Sequence, residues 1–347
     1  MDILEEIEKC KSRTSRSDRR DLVSTWTEKE LHEGKIKDVF SVIFRTRGCS
    51  WNRSSGCTMC GYYTDTNPSI IDEDLEEQVH DVSEKYSGED IVKIYTSGSF
   101  LDEEELPQDI ALKILNSFDT DKTVVETRPQ YITEDRLHKY SAEVKKLEIA
   151  VGLESSNNFV LKNCINKGFR YEQYLEKRDT VFENRSKLRT YLLLKPPFLT
   201  EKEAIKDLKN SIQQVSHPDN IISVNPVNVQ RGTLLEKLWN EKVYRPPWLW
   251  SLLKVFSEVS YVDSMLISSS VGLGSERGAH NCGECDTELV ELIREFNLTQ
   301  DIEPIKDRLK DPRCSCYHQW KKELELEPYL NFRGRVGILS DRYAGYV

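Results

Sequence analysis

The sequence predicts an α/β fold, a partial (β/α)6 TIM-like barrel with a C-terminal cysteine-rich cap. Two observations carry that prediction. From Val39 onward six short apolar runs recur, each followed by a longer charged, amphipathic stretch; strand-then-helix units repeated in one direction make a parallel sheet with right-handed crossovers. The nine cysteines are also segregated: three at 49, 57 and 60, four at 282, 285, 314 and 316, with Cys10 and Cys164 alone.

Residues 9–20 (KCKSRTSRSDRR) carry six basic side chains against one acidic and almost nothing apolar, so residues 1–37 read as an N-terminal basic arm with a helix. The barrel is placed at 38–270. Its expected strands and helices are VFSVIF, then a helix from Asp72; IVKIYT, then a helix near Leu106; KTVVET, then a helix near Glu134. LEIAVGL follows with a helix near Asn158, LRTYLLLK with a helix from Thr200, and NIISVNPV with a helix near Thr233. A further strand, YVDSMLIS at 261–268, leads into a metal-binding cap at 271–347. The acidic runs at 72–77 and 102–105 fall where helices begin, and the helix dipole accounts for them.

Composition bounds the class. With 38% hydrophobic and 31% charged residues over 347, collagen-like, disordered and small disulfide-scaffold proteins are excluded. No run approaches the roughly 18 apolar residues of a membrane span, and the start lacks a basic-then-apolar leader. The expectation is a cytoplasmic chain with thiols, not disulfides, and no membrane partner. A net charge of -10 repels polyanions, so nucleic acid requires a local basic patch or a partner. The local resources are the arm, residues 185–195, and Arg313, Lys321, Lys322, Arg333, Arg335 and Arg342.

The informative polar residues follow strand ends: Cys49, Ser97-Gly98-Ser99, Glu126-Thr127-Arg128, Glu154-Ser155-Ser156, Lys195-Pro196-Pro197 and Asn225-Pro226. That is the face on which barrel enzymes hold ligands, and one cavity lined by all six is expected. RGCSWNRSSGCTMCGYY spaces its cysteines C-x7-C-x2-C. A structural zinc site wants four protein ligands, whereas a [4Fe-4S] cluster held by three leaves one iron open. The alternative is a zinc knuckle borrowing His32 or His80. HNCGECD and RCSCYH form C-x2-C-x28-C-x-C, four thiolates that close a tetrahedral shell, so structural zinc is the first reading there and an auxiliary iron-sulfur cluster the other. His280 and His318 could substitute for a cysteine but read as bystanders.

At Cys49, Cys57 and Cys60, over about residues 38–270, the chain resembles the radical S-adenosylmethionine (SAM) superfamily, with a longer first gap than its commonest C-x3-C-x2-C. The resemblance implies that Met59 packs near the SAM adenine and that Ser97, Gly98 and Ser99 approach its methionine amino group. ETRPQ resembles the ETRP element of Elongator-type catalytic subunits, which implies Arg128, beside Glu126, on the SAM carboxylate. GLESSNN implies Glu154 or Ser155 on the ribose. With NKG, KPPFLTE and NPVNVQRGT added, the set resembles the archaeal family that supplies the radical SAM subunit in archaeosine biosynthesis.

That resemblance implies a lyase using a 5′-deoxyadenosyl radical to cleave the C–N bond of a lysine-linked 7-deazaguanine precursor at tRNA position 15. Lys195, Asn225 and Gln230 are candidates for recognising the lysine moiety or base, against ordinary turn chemistry around Pro196, Pro197 and Pro226. The implied partners are tRNA, a reductant protein, and the archaeosine synthase subunit that attaches lysine and carries an RNA-binding domain. Two other readings are open: another radical SAM tRNA-modifying enzyme, methylthiotransferase-like or Elongator-like, or a non-catalytic zinc subunit for RNA binding or assembly.

Overall fold

A computed structural model describes residues 3–12, 18–259 and 261–326; Arg333, Arg335 and Arg342 and part of the basic arm lie outside them. Helix α1 (Ile3–Cys10) precedes a hairpin of β1 (Ser24–His32) and β2 (Lys35–Ile43). Glu33 and Gly34 turn it with φ of 50° and 74°, the two-residue geometry that matches strand twist. A short α2 (Ser50–Ser54) and α3 (Asp72–Lys85) lead to β3 (Ile91–Tyr95), α4 (Gln108–Asn116), β4 (Lys122–Thr127) and α5 (Glu134–Ser141). Then come β5 (Leu147–Glu154), α6 (Tyr171–Glu183), β6 (Lys187–Leu194), α7 (Glu201–Val215) and β7 (Asn220–Pro226). The last elements are α8 (Leu234–Asn240), α9 (Leu249–Val259), β8 (Met265–Ser268), α10 (Asp286–Thr299), α11 (Glu303–Lys310) and α12 (Cys316–Leu326).

The eight strands form one sheet in sequence order, parallel from β2 to β8 with β1 antiparallel on β2. Residues follow strand alternation: Val92, Ile94, Val125, Ile149, Val151, Leu192 and Leu194 face the helices in the main core. Val39, Ile91, Val124 and Ala150 with Tyr191 form a second cluster on the inner face. The seven parallel strands are the six expected units plus the strand before the second cysteine group.

Two expectations are corrected. Residues 24–37, read as part of an arm, are β1 and the start of β2, and the boundary set at 37/38 falls inside β2. STWTEKELH looks solvated because its inner face is charged; in the fold one of those charges, Glu30, is buried. Glu30, 5% exposed, meets Lys93 and Arg189 at 2.8 Å and Lys122 at 3.0 Å, and Lys122 meets Glu148 at 3.1 Å. This ion-paired layer fills the lower interior of the curled sheet. The helix expected near Asn158 is a π-helical turn, Val160–Ile165, closed by Asn166 at φ 57°, with α6 starting later.

The cap helices seat on the barrel. α10 packs on both edge strands, β1 and β8. The Asn297 amide exchanges two 2.8 Å hydrogen bonds with Ser268, and Gln300 bonds both backbone groups of Leu266 at 3.2 and 3.0 Å, so the exposed edge of β8 is satisfied by side chains. Among the described residues no helix is long and apolar enough to cross a membrane.

Candidate functional site

The three-cysteine loop follows β2 and is clamped by segments that follow other strands. Gly48, at φ +83°, has Thr66 side-chain atoms 2.8 Å from where a Cβ would stand. Thr58 donates from its backbone N–H to the Ile165 carbonyl at 2.9 Å and from its hydroxyl to the Cys164 carbonyl at 2.8 Å. Trp51 donates to the Asn166 carbonyl at 2.9 Å, and Asn166 donates back to the Gly56 carbonyl at 2.6 Å. Gly168 (φ +78°) lies under the Trp51 ring, 2.6 Å from a hypothetical Cβ; any side chain there would displace the indole. From the loop after β7, Gln230 accepts from Gly61 N–H at 2.5 Å. The cysteine loop is therefore held by the loops after β5 and β7.

The loop after β3 closes the other side. A Cβ on Gly98 would stand 2.8 Å from the Cys49 Cα and 2.0 Å from a Glu105 carboxyl oxygen. Glu105 accepts from the Ser99 N–H at 2.6 Å and the Thr46 hydroxyl at 2.8 Å; burial pushes its carboxyl up to about 8. The acidic run at 102–105 is thus more than a helix start, since α4 begins only at Gln108 and Glu105 underlies the Ser97-Gly98-Ser99 turn. Ser97 sits at φ +64°, and the Ser99 hydroxyl accepts from Arg128 N–H at 3.1 Å.

Charge converges on the cysteines. Burial pushes the Cys57 thiol up, opposed first by Lys167 and then by Arg128; burial also raises Cys60, to about 12. Both thiols stay protonated unless a cation binds them, which suits a metal-ligating pair. Lys167 pairs with Glu154 at 2.7 Å. Arg128 donates to the Lys167 carbonyl at 2.8 Å and lies between the rings of Trp51 and Phe169, 5.5 and 5.3 Å from their centroids. Its buried Nε has no hydrogen-bond partner, a donor left over for an anionic group.

The other expected residues divide. Cys49, Cys57, Cys60, Gly98, Ser99 and Arg128 come together with Glu154, and Met59 packs half-buried beside Cys57 on the core. Glu126 lies on the inner face, its carboxyl raised by burial to about 7 with Tyr191 opposing. Asn225, on the same face, accepts from the Ser223 hydroxyl at 3.2 Å. Ser155 instead turns away: fully buried, its hydroxyl donates to Asp207 on α7 at 3.0 Å, so the ribose contact expected of it has no geometric basis. Lys195 is buried in a 2.7 Å ion pair with Glu201, and Gln230 braces the cysteine loop; both position backbone. His80 faces solvent on α3, and His32 ends β1 at the opposite end of the strands, so neither reaches the loop. Lys167 and Glu105 were missed, although the NKG segment was a signal for the first.

The four remaining clustered cysteines meet in the cap. The sulfurs of Cys282, Cys285, Cys314 and Cys316 lie within 4.8 Å of one another. Cys282 is 3.5 Å from Cys314, Cys285 3.6 Å from Cys316, and Cys314 3.3 Å from Cys316. Buried Trp250 donates to Cys316 Sγ at 3.2 Å and Asn281 to Cys285 Sγ at 3.3 Å, N–H donors of the kind that surround bound thiolates. No histidine belongs to this group among the described residues.

The molecule is thus a curled half-barrel sheet whose first parallel strand leads into a loop of three cysteines. The fold is shared with methylornithine synthase, whose crystal structure superposes with a TM-score of 0.50 at 12% identity, covering 75% of this chain and 70% of that one. No family model matches the chain. It is 38% identical over 318 residues to the archaeosine synthase subunit beta of Methanosarcina acetivorans, covering 88% of this chain and 90% of that protein. It is 32% identical over 315 residues to the subunit of the same name from Thermococcus kodakarensis, covering 86% and 96%. The chain belongs to the archaeosine synthase subunit beta family.

Proposed function

We propose that the chain is the radical SAM subunit of an archaeosine synthase, cleaving the C–N bond of a lysine-linked 7-deazaguanine at tRNA position 15. The carrying observation is the clamped loop of Cys49, Cys57 and Cys60, flanked by Lys167 and Arg128, in a chain of this family. A [4Fe-4S] cluster held by these three cysteines would supply the electron that splits SAM into methionine and the 5′-deoxyadenosyl radical that attacks substrate. The protein's part is orientation. Arg128 offers its unpartnered donor to the SAM carboxylate, the small turn at Ser97-Gly98-Ser99 lets backbone approach the amino group, and Glu154, fixed by Lys167, reaches the ribose.

In the cap we assign structural zinc. Zn–S bonds of about 2.3 Å in a tetrahedron put sulfurs about 3.8 Å apart, close to the 3.3 to 3.6 Å seen; the cysteines of a cubane cluster, each on a different iron, must stand farther apart. The relatives' name, subunit beta, supports a partner subunit, which in a chain of charge -10 would bring most of the tRNA contact, while a reductant protein supplies the electron.

The test is incubation of reduced, iron-loaded protein with SAM, the partner and lysine-modified tRNA, followed by nucleoside mass analysis. Archaeosine is expected. SAM cleavage that leaves the lysine adduct intact refutes the lyase. Arg128→Ala should weaken SAM binding, and unaltered affinity removes it from the site.

A further inference from the structure

The inner face of the sheet changes character along the strands. Its lower layer, Glu30, Lys93, Lys122, Glu148 and Arg189, is at most 7% exposed. One step toward the cysteine loop, Tyr95, Glu126, Tyr191 and Asn225 are only partly buried, although the outer-face side chains beside them, Ile94, Val125, Leu192 and Val224, are buried under helices at 0 to 1%. Solvent therefore reaches these four from inside the curl. Trp26 of β1 joins them, 38% exposed, with its ring parallel to Tyr95 at 5.9 Å and 4°. Tyr191 stands near enough to Glu126 to oppose the rise that burial gives its carboxyl, and Ala150 and Gly152 on the intervening β5 add no bulk.

We infer that Trp26, Tyr95 and Glu126 form a subsite for a planar heterocycle, which stacks on the Trp26–Tyr95 slab and donates its N–H edge to the Glu126 carboxylate. The inference rests on the reading above and supplies what that reading leaves open, the place of the base. A guanine-type ring, 7-deaza or not, presents a ring N–H beside an exocyclic amino group, two adjacent donors that match the two oxygens of a carboxylate. An adenine-type edge offers a ring acceptor in the same place, which the carboxylate repels. Aromatic faces supply the rest, since stacking does not discriminate among bases. The N-terminal hairpin, which looks like a solvated arm in the sequence, is then part of the site: Trp26 stacks where Glu30, four residues on, ties the same strand to the floor.

The experiment is equilibrium dialysis at about pH 8.5, where the Glu126 carboxyl is ionised, of 7-deazaguanosine and 7-deazaadenosine against iron-loaded full-length protein with saturating SAM. Wild type should prefer the guanine-type nucleoside by roughly tenfold; Trp26→Leu should weaken binding of both by roughly tenfold, and Trp26→Phe should retain it. Glu126→Gln should lose the preference. Equal affinities in wild type, or unchanged binding in Trp26→Leu with unchanged preference in Glu126→Gln, overturn the subsite. Because no turnover enters this measurement, failure of the lyase on lysine-modified tRNA would count separately, against the reading it rests on. On that tRNA the same two variants should raise KM far more than they lower kcat; an effect on kcat alone also overturns the subsite.

Discussion

Lys167 and Glu154 form a buried ion pair, Nζ to Oε1 2.7 Å, at the end of β5. Glu154 adopts φ of 75° just where the register with β6 slips between Gly152 and Glu154, so the bulge and the left-handed backbone bring its carboxylate to Lys167. A Cβ on Gly152 would stand 2.7 Å from Glu154 Oε1 and 3.1 Å from Lys167 Nζ. Strain at a non-glycine residue is held where surrounding contacts over-determine it, and here the contacts lead to Cys57.

Removing one partner of a buried pair leaves an uncompensated charge. Lys167→Met should destabilise the fold by about 3–5 kcal/mol, and Lys167→Met combined with Glu154→Gln should recover much of it. Urea denaturation of the three proteins decides: a double variant no more stable than the single one would mean the pair is uncoupled.

The cap and the loop should hold different metals. Anaerobically reconstituted protein is expected to carry one zinc and about four irons, and Cys285→Ala should lose the zinc, lower Tm by several degrees and keep the iron. Metal analysis showing iron lost from the cap variant, with zinc retained, contradicts the assignment.

Space at Gly98 is decisive for the turn proposed to hold SAM. Gly98→Ala drives its methyl into Glu105 and the Cys49 backbone, so SAM affinity should fall at least tenfold. Adding Glu105→Ala should restore part of it. Calorimetric titration with SAM would read both effects, and full affinity in Gly98→Ala would show that the turn does not contact the ligand.

Burial also sets a pH dependence away from the site. Asp207 is raised to about 7 by burial, with the Ser155 hydrogen bond opposing. The unfolded chain loses this proton near the usual carboxyl range while the native state keeps it. The contribution to stability is therefore complete below about pH 4 and is lost as pH climbs through 7. Asp207→Asn should flatten that slope between pH 4 and 7 in urea midpoints, and an identical slope would place the titration elsewhere.

The order of strands, the helices after them, and both cysteine groups were legible in the sequence, because apolar periods of 2 and 3.6 residues and short ligand spacings are local properties of the chain. The partners of polar side chains were not. Glu30 reads as one more surface charge until β1 folds onto β2 and sets it against Arg189, 159 residues on; Ser155 is drawn to Asp207 and Lys195 to Glu201. A strand-end position says where a residue stands, but what its polar atoms are free to do depends on which distant group has already satisfied them. Only the packed structure decides that, because burial makes every unpaired donor or charge costly and so fixes who pairs with whom.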